Sequence, residues 1–338
     1  MYNKLFIIDG SYYLNRVMST PRLCELHNDN DIFVGGVFGF LRCLESDLEK
    51  ISSYFPVVVF DKGISERRTS LYPEYKRANE REQISSPLPE EICLTDNYGI
   101  QYKFQRELLV DILTHLGIPV IISEGYEGDD LIYLLTTVCE KSIIATNDKD
   151  MWQLIRDNCS IYLPLEKRVL TKTEFKTLYK SIDDFILSKV VIGDKSDNIP
   201  SCCVGIGEAK KGSFLDLLNL YRTSLTEREW DFNDYPETEQ ALKTRCEQSN
   251  IPYSKAFLNF DKNQFNINME LVDLYKVEMN PIIQNTIDRA IQDCRLNQDL
   301  YWVVNTLSSL QIQKVDIDKI ACAVSKSYFY LYNRNTLF

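Results

Sequence analysis

The sequence predicts an α/β fold in which a mostly parallel sheet is flanked by helices, and three observations lead there. Short, nearly unbroken apolar runs rich in Val and Ile recur through about the first half of the chain. Segments with apolar residues at three- and four-residue spacing separate them, as amphipathic helices require. Acidic residues follow four of these runs. Unbroken apolar strands suit burial on both faces of a parallel sheet, and their alternation with helices implies right-handed βαβ units.

In chain order, Leu5–Ile8 reads as the first strand, closed by Asp9, and Val34–Lys50 as a helix. Val57–Phe60 is the second strand, closed by Asp61. From Lys62 to Arg81 six bases (Lys62, Arg67, Arg68, Lys76, Arg77, Arg81) meet three acids (Glu66, Glu74, Glu80), with Tyr72 and Tyr75 interleaved. This stretch reads as an exposed basic arm over the sheet edge, interrupted by Ser85-Ser86-Pro87-Leu88-Pro89. Gln101–Leu116 is helical, and Pro119 opens a third strand, Pro119–Ile122, where a missing N–H matters little. Helix Gly128–Glu140, strand Ser142–Ala145, helix Asp150–Arg156 and strand Ser160–Leu163 follow. Beyond residue 182 no further strands are expected. Asp183–Ile192 is helical, a Gly/Ser/Pro/Asp-rich segment runs to Gly207, and another helix runs to Leu220. Residues 226–255 read as a polar surface excursion, and the pattern is helical from about 256.

At 338 residues, two domains or one enlarged domain are expected. An apolar content of 44% supplies a sizeable core. The 38 bases and 49 acids leave a net charge of −11, which excludes a histone-like or membrane-surface protein working through positive charge. A nucleic-acid enzyme with a carboxylate-rich metal site remains compatible with it. The ten cysteines are scattered without a CxxC pair, and Cys202 and Cys203 are adjacent, so free thiols in a reducing compartment are expected. His27 and His115 read as structural. The N-terminal apolar run is too short for a signal peptide, and no stretch approaches the ~20 apolar residues of a membrane span. A cytoplasmic, monomeric protein is expected, in the host cytoplasm if a phage encodes it.

The acids carry the chemistry. Asp9 and Asp61 end the first two strands, Glu127, Asp129 and Asp130 follow the third, and Asp148 and Asp150 follow the fourth. In an open parallel sheet the carboxyl ends of the strands face one ligand crevice. Each acid alone reads as a helix cap or turn residue, whereas the set, repeated at strand end after strand end, does not. Packed carboxylates raise one another's pKa and need a hard cation to cancel their repulsion. Oxygen-only ligands point to Mg²⁺ or Mn²⁺ rather than zinc, and seven acids suggest two ions. A second acid pair, Asp194 and Asp197, lies in Gly193-Asp194-Lys195-Ser196-Asp197-Asn198-Ile199-Pro200. Just beyond, Gly205-Ile206-Gly207 precedes a helix carrying Lys210 and Lys211, a pattern that offers backbone N–H groups and charge to a phosphate.

In order, Asp9-Gly10-Ser11, Phe60-Asp61, Tyr75-Lys76, Glu127-Gly128-Asp129-Asp130, Thr146-Asn147-Asp148-Lys149-Asp150, the Gly193–Pro200 string and Gly205-Ile206-Gly207 resemble the 5′-nuclease family. That family comprises flap endonucleases and the 5′–3′ exonucleases of bacteriophages and of bacterial DNA polymerase I. The motifs span roughly residues 1–222, and Asn268–Leu274 resembles the segment after the hairpin module in phage members. The resemblance implies a PIN-like nuclease domain over 1–182 with a helical arch at about 62–100. It also implies a helix-3-turn-helix (helix-hairpin-helix) DNA-binding region over 183–225 and an all-helical part over 226–338. Carried over residue by residue, Asp9, Asp61, Glu127 and Asp129 resemble ligands of a first divalent ion. Asp130, Asp148, Asp150, Asp194 and Asp197 resemble the acids around a second. Lys76 looks like the catalytic arch lysine, Arg16 like the base that contacts the substrate phosphate, and Tyr75 like the arch aromatic that stacks on a base. Arg77 or Arg81 matches the second arch base, since an insertion separates the two alternatives. Gly205, Gly207, Lys210 and Lys211 resemble the duplex-binding hairpin. Some relatives hold K⁺ on hairpin carbonyls, and here Pro200-Ser201-Cys202-Cys203-Val204 makes that loop one residue longer. Gly128 stands where Ala is frequent.

The implied activity is a structure-specific 5′-nuclease of DNA replication or repair, acting on DNA with a free 5′ end or 5′ flap through two metal ions. Two other readings compete. A PIN-type ribonuclease would share the acidic crevice without the basic arm or Gly205-Ile206-Gly207. A non-catalytic DNA-junction binder would keep Lys210 and Lys211 but lack part of the acid set.

Overall fold

The computed structural model describes residues 1–76, 98–224 and 228–332. By internal contact they form two compact units. The first takes in 1–65, 98–172 and 277–332, and the second 66–76, 173–224 and 228–276.

The first unit is built on a six-stranded sheet of order β3-β2-β1-β4-β5-β6. Its strands are β1 (Tyr2–Asp9), β2 (Phe55–Val59), β3 (Val120–Ile121), β4 (Cys139–Ala145), β5 (Cys159–Leu163) and β6 (Arg168–Leu170). All neighbours pair in parallel except β5 with β6. Leu5, Phe6, Ile7 and Ile8 are fully buried and β2 is buried throughout, as strands covered on both faces must be. The four parallel strands expected beside β1 are present. Strand β3 is only two residues long, with Pro119 contributing its carbonyl to Val58 N–H. The antiparallel edge strand β6 was not expected, because three residues are too few to show a period.

Helices α1 (Gly10–Met18) and α2 (Gly35–Lys50) connect β1 to β2, α4 (Tyr98–His115) precedes β3, and α5 (Gly128–Thr137) leads into β4. Between the two pairs, α3 (Glu66–Leu71) belongs to the second unit. A 3-10 helix, Lys149–Leu154, stands where a helix over Asp150–Arg156 was expected. Val34 gives α2 no side-chain cap; instead buried Gln105 of α4 accepts from Val37 N–H at 2.8 Å and donates to Phe33 O at 2.6 Å. The chain leaves this unit after Lys172 and returns to it at Val277.

The second unit holds α3, α6 (Lys172–Leu178, whose first residue lies in the first unit), α7 (Ile182–Ile192), α8 (Glu208–Asn219), α9 (Glu239–Gln248) and α10 (Lys262–Val272). Against expectation it also contains a two-stranded antiparallel pair, β7 (Arg222–Ser224) with β8 (Glu229–Trp230). Their sequences are short and polar, and Arg222 pins the pair by standing over the Trp230 ring and donating to Asp183 at 2.7 Å. The chain then re-enters the first unit as α11 (Pro281–Asp293), α12 (Leu300–Ser309) and α13 (Ile317–Ser327). Val303, Leu307, Ile317, Ile320 and Val324 complete one hydrophobic core with Leu44, Leu48, Val58 and Phe60. No disulfide links the described cysteines, and no described helix is long and apolar enough to cross a membrane.

Candidate active site

The order of the strands sets the crevice. From β1 the chain moves to β2 and β3 on one side, then crosses to β4 on the other, so the direction of winding reverses at β1. Ligands of doubly wound sheets lie at such a switch point, beyond the carboxyl ends of the strands. Asp9 is the last residue of β1, in register with Val59 of β2; Ile8 is in register with Ala145 of β4. The following residues, Asp61 on one side and Thr146 to Asp148 on the other, therefore come level with Asp9.

Asp9 caps α1 by accepting from Tyr12 N–H at 2.9 Å, and Thr146 Oγ1 donates to its other oxygen at 2.9 Å. Burial pushes its carboxyl up to about 7, with the charges of Asp61 and Asp148 adding to the rise and the two donors opposing it. Two acids, 52 and 139 positions further along the chain, thus reach Asp9 electrostatically.

Asp61, Asp129, Asp130 and Asp148 are each turned toward a main-chain amide. Asp61 accepts from Gly128 N–H at the start of α5, at 2.5 Å. A Cβ on residue 128 would meet Asp61 Oδ1 at 2.9 Å, so glycine allows this close approach. Asp130 accepts from Glu127 N–H at 3.1 Å in a capping box, and Asp129 accepts from Asp130 N–H at 2.8 Å. Glu127 and Asp130 are buried. Asp148 starts the 3-10 helix by accepting from Asp150 N–H at 2.8 Å. The cap role therefore holds for Asp130 and Asp148, and Asp61 steadies the start of α5. Among the described residues no three acids, histidines or cysteines lie close enough to hold one ion as they stand. Hydrogen bonds to main-chain N–H groups occupy oxygens of Asp61, Asp129, Asp130 and Asp148 as they stand.

Several residues of this crevice escaped the sequence reading. Ser11 Oγ accepts from Asp61 N–H at 2.9 Å. Arg106 of α4 donates to Asp61 O at 2.9 Å, and Tyr102 stands beside Ser11 with its hydroxyl held protonated by burial. Tyr12 donates to Asn147 Oδ1 at 3.0 Å. The four-residue spacing of Tyr102 and Arg106 was the available signal, hidden in a helix whose apolar face looked purely structural. Arg16 lies one turn after Tyr12, half-buried, within electrostatic reach of Tyr12, Cys43 and Asp47.

The second unit carries the other acid pair. Gly193 ends α7 at φ +74°, and a Cβ there would lie 2.4 Å from Ile199 O, so only glycine lets the loop close. Asp194 and Ile199 exchange two backbone hydrogen bonds, and Asp194 Oδ1 accepts from Ser196. Fully buried Asn268 of α10 fixes the loop from below through Val190 O and Pro200 O, both at 2.8 Å.

The described part of the basic arm is anchored rather than free, which corrects the exposed-arm expectation. Arg67 and Arg68 donate to Glu270 O and Leu271 O, carbonyls of the last turn of α10, where a cation is favoured by the helix dipole. Tyr75 is 3% exposed, packed against Ile199 and Leu271 with its hydroxyl 3.3 Å from Asp197. A buried ring has no face for a base, so the stacking role expected of Tyr75 does not fit this structure. Lys76 N–H donates to Asp197 O at 3.0 Å, its ammonium stands 3.8 Å from Asp197 Oδ1, and Asn198 Nδ2 donates to Glu74 O at 2.8 Å. Arg77 and Arg81 lie outside the described residues. Gly205 (φ +92°) and Gly207 lead into α8, with Lys210 exposed in its first turn and Lys211 beside it. The neighbouring Val204 carbonyl accepts from Asn259 Nδ2.

Carboxylates beyond the strand ends at the switch point of a mostly parallel sheet, on a chain that also carries a Gly-x-Gly helix start, define a PIN-like α/β protein. Residues 4–180, just over half the chain, match the family described as 5′-3′ exonuclease, N-terminal resolvase-like domain, and the chain belongs to that family. A 5′-3′ exonuclease of Aquifex aeolicus is 31% identical over 204 residues, 58% of this chain; the chain spans 63% of that relative's own length. A 5′-3′ exonuclease of Buchnera aphidicola (from Acyrthosiphon pisum) is 27% identical over 271 residues, covering 77% of this chain and 87% of that one. Among solved structures, the bacteriophage T5 flap endonuclease in a pseudo-enzyme-product complex with DNA and metal ions shares the fold with a TM-score of 0.56. It is 19% identical, and the match covers 96% of this chain and 100% of that one.

Proposed function

We propose that this protein is a divalent-metal-dependent 5′-nuclease that hydrolyses DNA phosphodiesters at a free 5′ end or 5′ flap during replication or repair. The observation that carries the reading is the strand register that brings Asp61 and Asp148 level with Asp9 at the switch point, in a chain of the 5′-3′ exonuclease family. The donor set is oxygen-only, which fits Mg²⁺ or Mn²⁺, and its size fits two ions. Asp9, Asp61, Glu127 and Asp129 would hold one, and Asp130, Asp148, Asp150, Asp194 and Asp197 would surround the other. A bound divalent ion there supplies charge neutralisation and lowers the pKa of a coordinated water. Lys76 and Arg16 would neutralise charge building on the transferred phosphoryl group. Lys210, Lys211 and the amides after Gly205 and Gly207 would hold backbone phosphates of the duplex, with affinity falling as salt rises. The T5 relative's complex with DNA and metal ions supports the same reading by fold.

Incubation with labelled 5′-flap DNA, blunt duplex DNA and single-stranded RNA, in Mg²⁺ or EDTA, tests it. Mg²⁺-dependent cleavage of the flap substrate is expected; preference for RNA would favour a PIN-type ribonuclease, and binding without cleavage a junction-binding protein. The double variant Asp148→Asn, Asp197→Asn is expected to lose cleavage while still binding the flap.

A further inference from the structure

The loop joining α1 to α2 and the loop joining α12 to α13 meet within the first unit and line a cleft of about 600 Å³. Ligand pockets run from a few hundred to about 1,000 Å³, so this space suits a small organic molecule rather than a single ion. Its apolar wall includes Val34, Phe38 of α2 and Ile312, all packed into the core of the unit. Asn28, Asp29 and Lys314 stand on its polar side. Gln311 locks one edge of Asp29: its Oε1 accepts from Asp29 N–H at 2.7 Å and its Nε2 donates to Asp29 Oδ2 at 2.9 Å. Asp29 Oδ1 is left as an acceptor with no partner among the described residues. Asn28 Oδ1 accepts from Asn30 N–H and Ile32 N–H, both at 3.0 Å, which fixes the orientation of the amide. The buried Nδ2 of the same side chain then finds no acceptor. Exposed Lys314 has no ion-pair partner among the described residues. The cleft shares no residue with the strand-end acids.

The lining selects its ligand. Buried polar groups are nearly always paired, so the Asn28 amide calls for an acceptor from outside the chain. An uncharged apolar molecule would leave Lys314 and Asp29 unanswered, and a bare phosphate would leave the apolar wall wet. One molecule meets all of these demands when it joins a flat apolar body with polar edges, a hydroxyl donor and an anion. The body lies on Phe38 and Ile312, an edge acceptor serves Asn28, a hydroxyl donates to Asp29 Oδ1, and the anion pairs with Lys314. Base, sugar and phosphate supply these parts in that order. We propose that this cleft binds a nucleoside 5′-monophosphate. The site goes beyond the nuclease reading and does not depend on it.

Isothermal titration in EDTA tests it with three probes: adenosine 5′-monophosphate, adenosine and ribose 5-phosphate. The wild type is expected to bind the monophosphate roughly tenfold more tightly than either fragment, since each fragment lacks one part that the cleft answers. Lys314 has φ +64°, so an unbranched replacement, Lys314→Gln, removes the charge without new backbone strain. It is expected to weaken the monophosphate by roughly tenfold and to leave adenosine unchanged. Arg16→Gln removes the base proposed above for the phosphate at the nuclease site, and is expected to leave all three affinities as they are. The site is overturned if the wild type binds no monophosphate, if ribose 5-phosphate binds as tightly, or if Lys314→Gln keeps full affinity. Loss of the monophosphate in Arg16→Gln overturns it too, because the nucleotide then sits at the nuclease site.

Discussion

Asp9 serves two masters: the amide of Tyr12, which it caps, and the neighbouring carboxylates, which it repels. Its carboxyl titrates at about 7 in the folded chain against 3.8 ordinarily, because burial and the Asp61 and Asp148 charges disfavour its ionised form. Between those values the native state holds a proton that the unfolded chain has released, so the contribution of Asp9 to stability falls as pH rises. In EDTA, the melting temperature of Asp9→Asn relative to wild type is expected to increase from pH 5 to pH 8, since the variant carries no charge to bury. A relative decrease over that range would contradict the site's electrostatics. Added Mg²⁺ is expected to raise the wild-type melting temperature most at pH 8, where the carboxylates are ionised.

Among the elements, the junction of α3 with the Gly193–Pro200 loop governs where Lys76 stands. Two backbone-directed bonds, Asn198 Nδ2 to Glu74 O and Lys76 N–H to Asp197 O, tie the foot of the basic arm to the acid loop. Asn198 has φ +59°, a conformation that Asn and Asp tolerate better than other side chains. Asn198→Asp therefore removes the N–H donor without straining the turn. If the junction works by placing Lys76, Asn198→Asp is expected to slow single-turnover flap cleavage by roughly tenfold, while adding nothing in a Lys76→Ala background. Additive losses would mean that Asn198 acts on the acid loop itself.

Across the whole molecule, sequence order and spatial order part company. The helices α11 to α13 come after the second unit in sequence, yet Val303, Leu307, Ile320 and Val324 share one core with α2 and β2. Ending the chain after Lys276 is expected to abolish cooperative unfolding of the first unit, because an apolar wall of the sheet's helical layer is lost; circular dichroism melts check this. The same distance explains what could be read beforehand. The parallel strands and their terminal acids were legible, since both arise from local pattern and from the rule that strand ends share an edge. The anchoring of Arg67, Arg68 and Tyr75 was not, because their partners Glu270, Leu271 and Ile199 lie more than 120 positions away. Gln105 as the remote cap of α2 and Arg106 at Asp61 were hidden likewise. Strands β6, β7 and β8 were too short to declare a period.

The strand-end carboxylates are seldom idle: Asp9, Asp61, Asp130 and Asp148 each begin or steady a helix through hydrogen bonds made within the chain. Zinc-finger-like modules collapse when stripped of their metal because nothing else occupies the ligands. Here the same side chains are already engaged by helix amides, so removing a divalent ion from the site proposed above is expected to leave the helices that carry it folded.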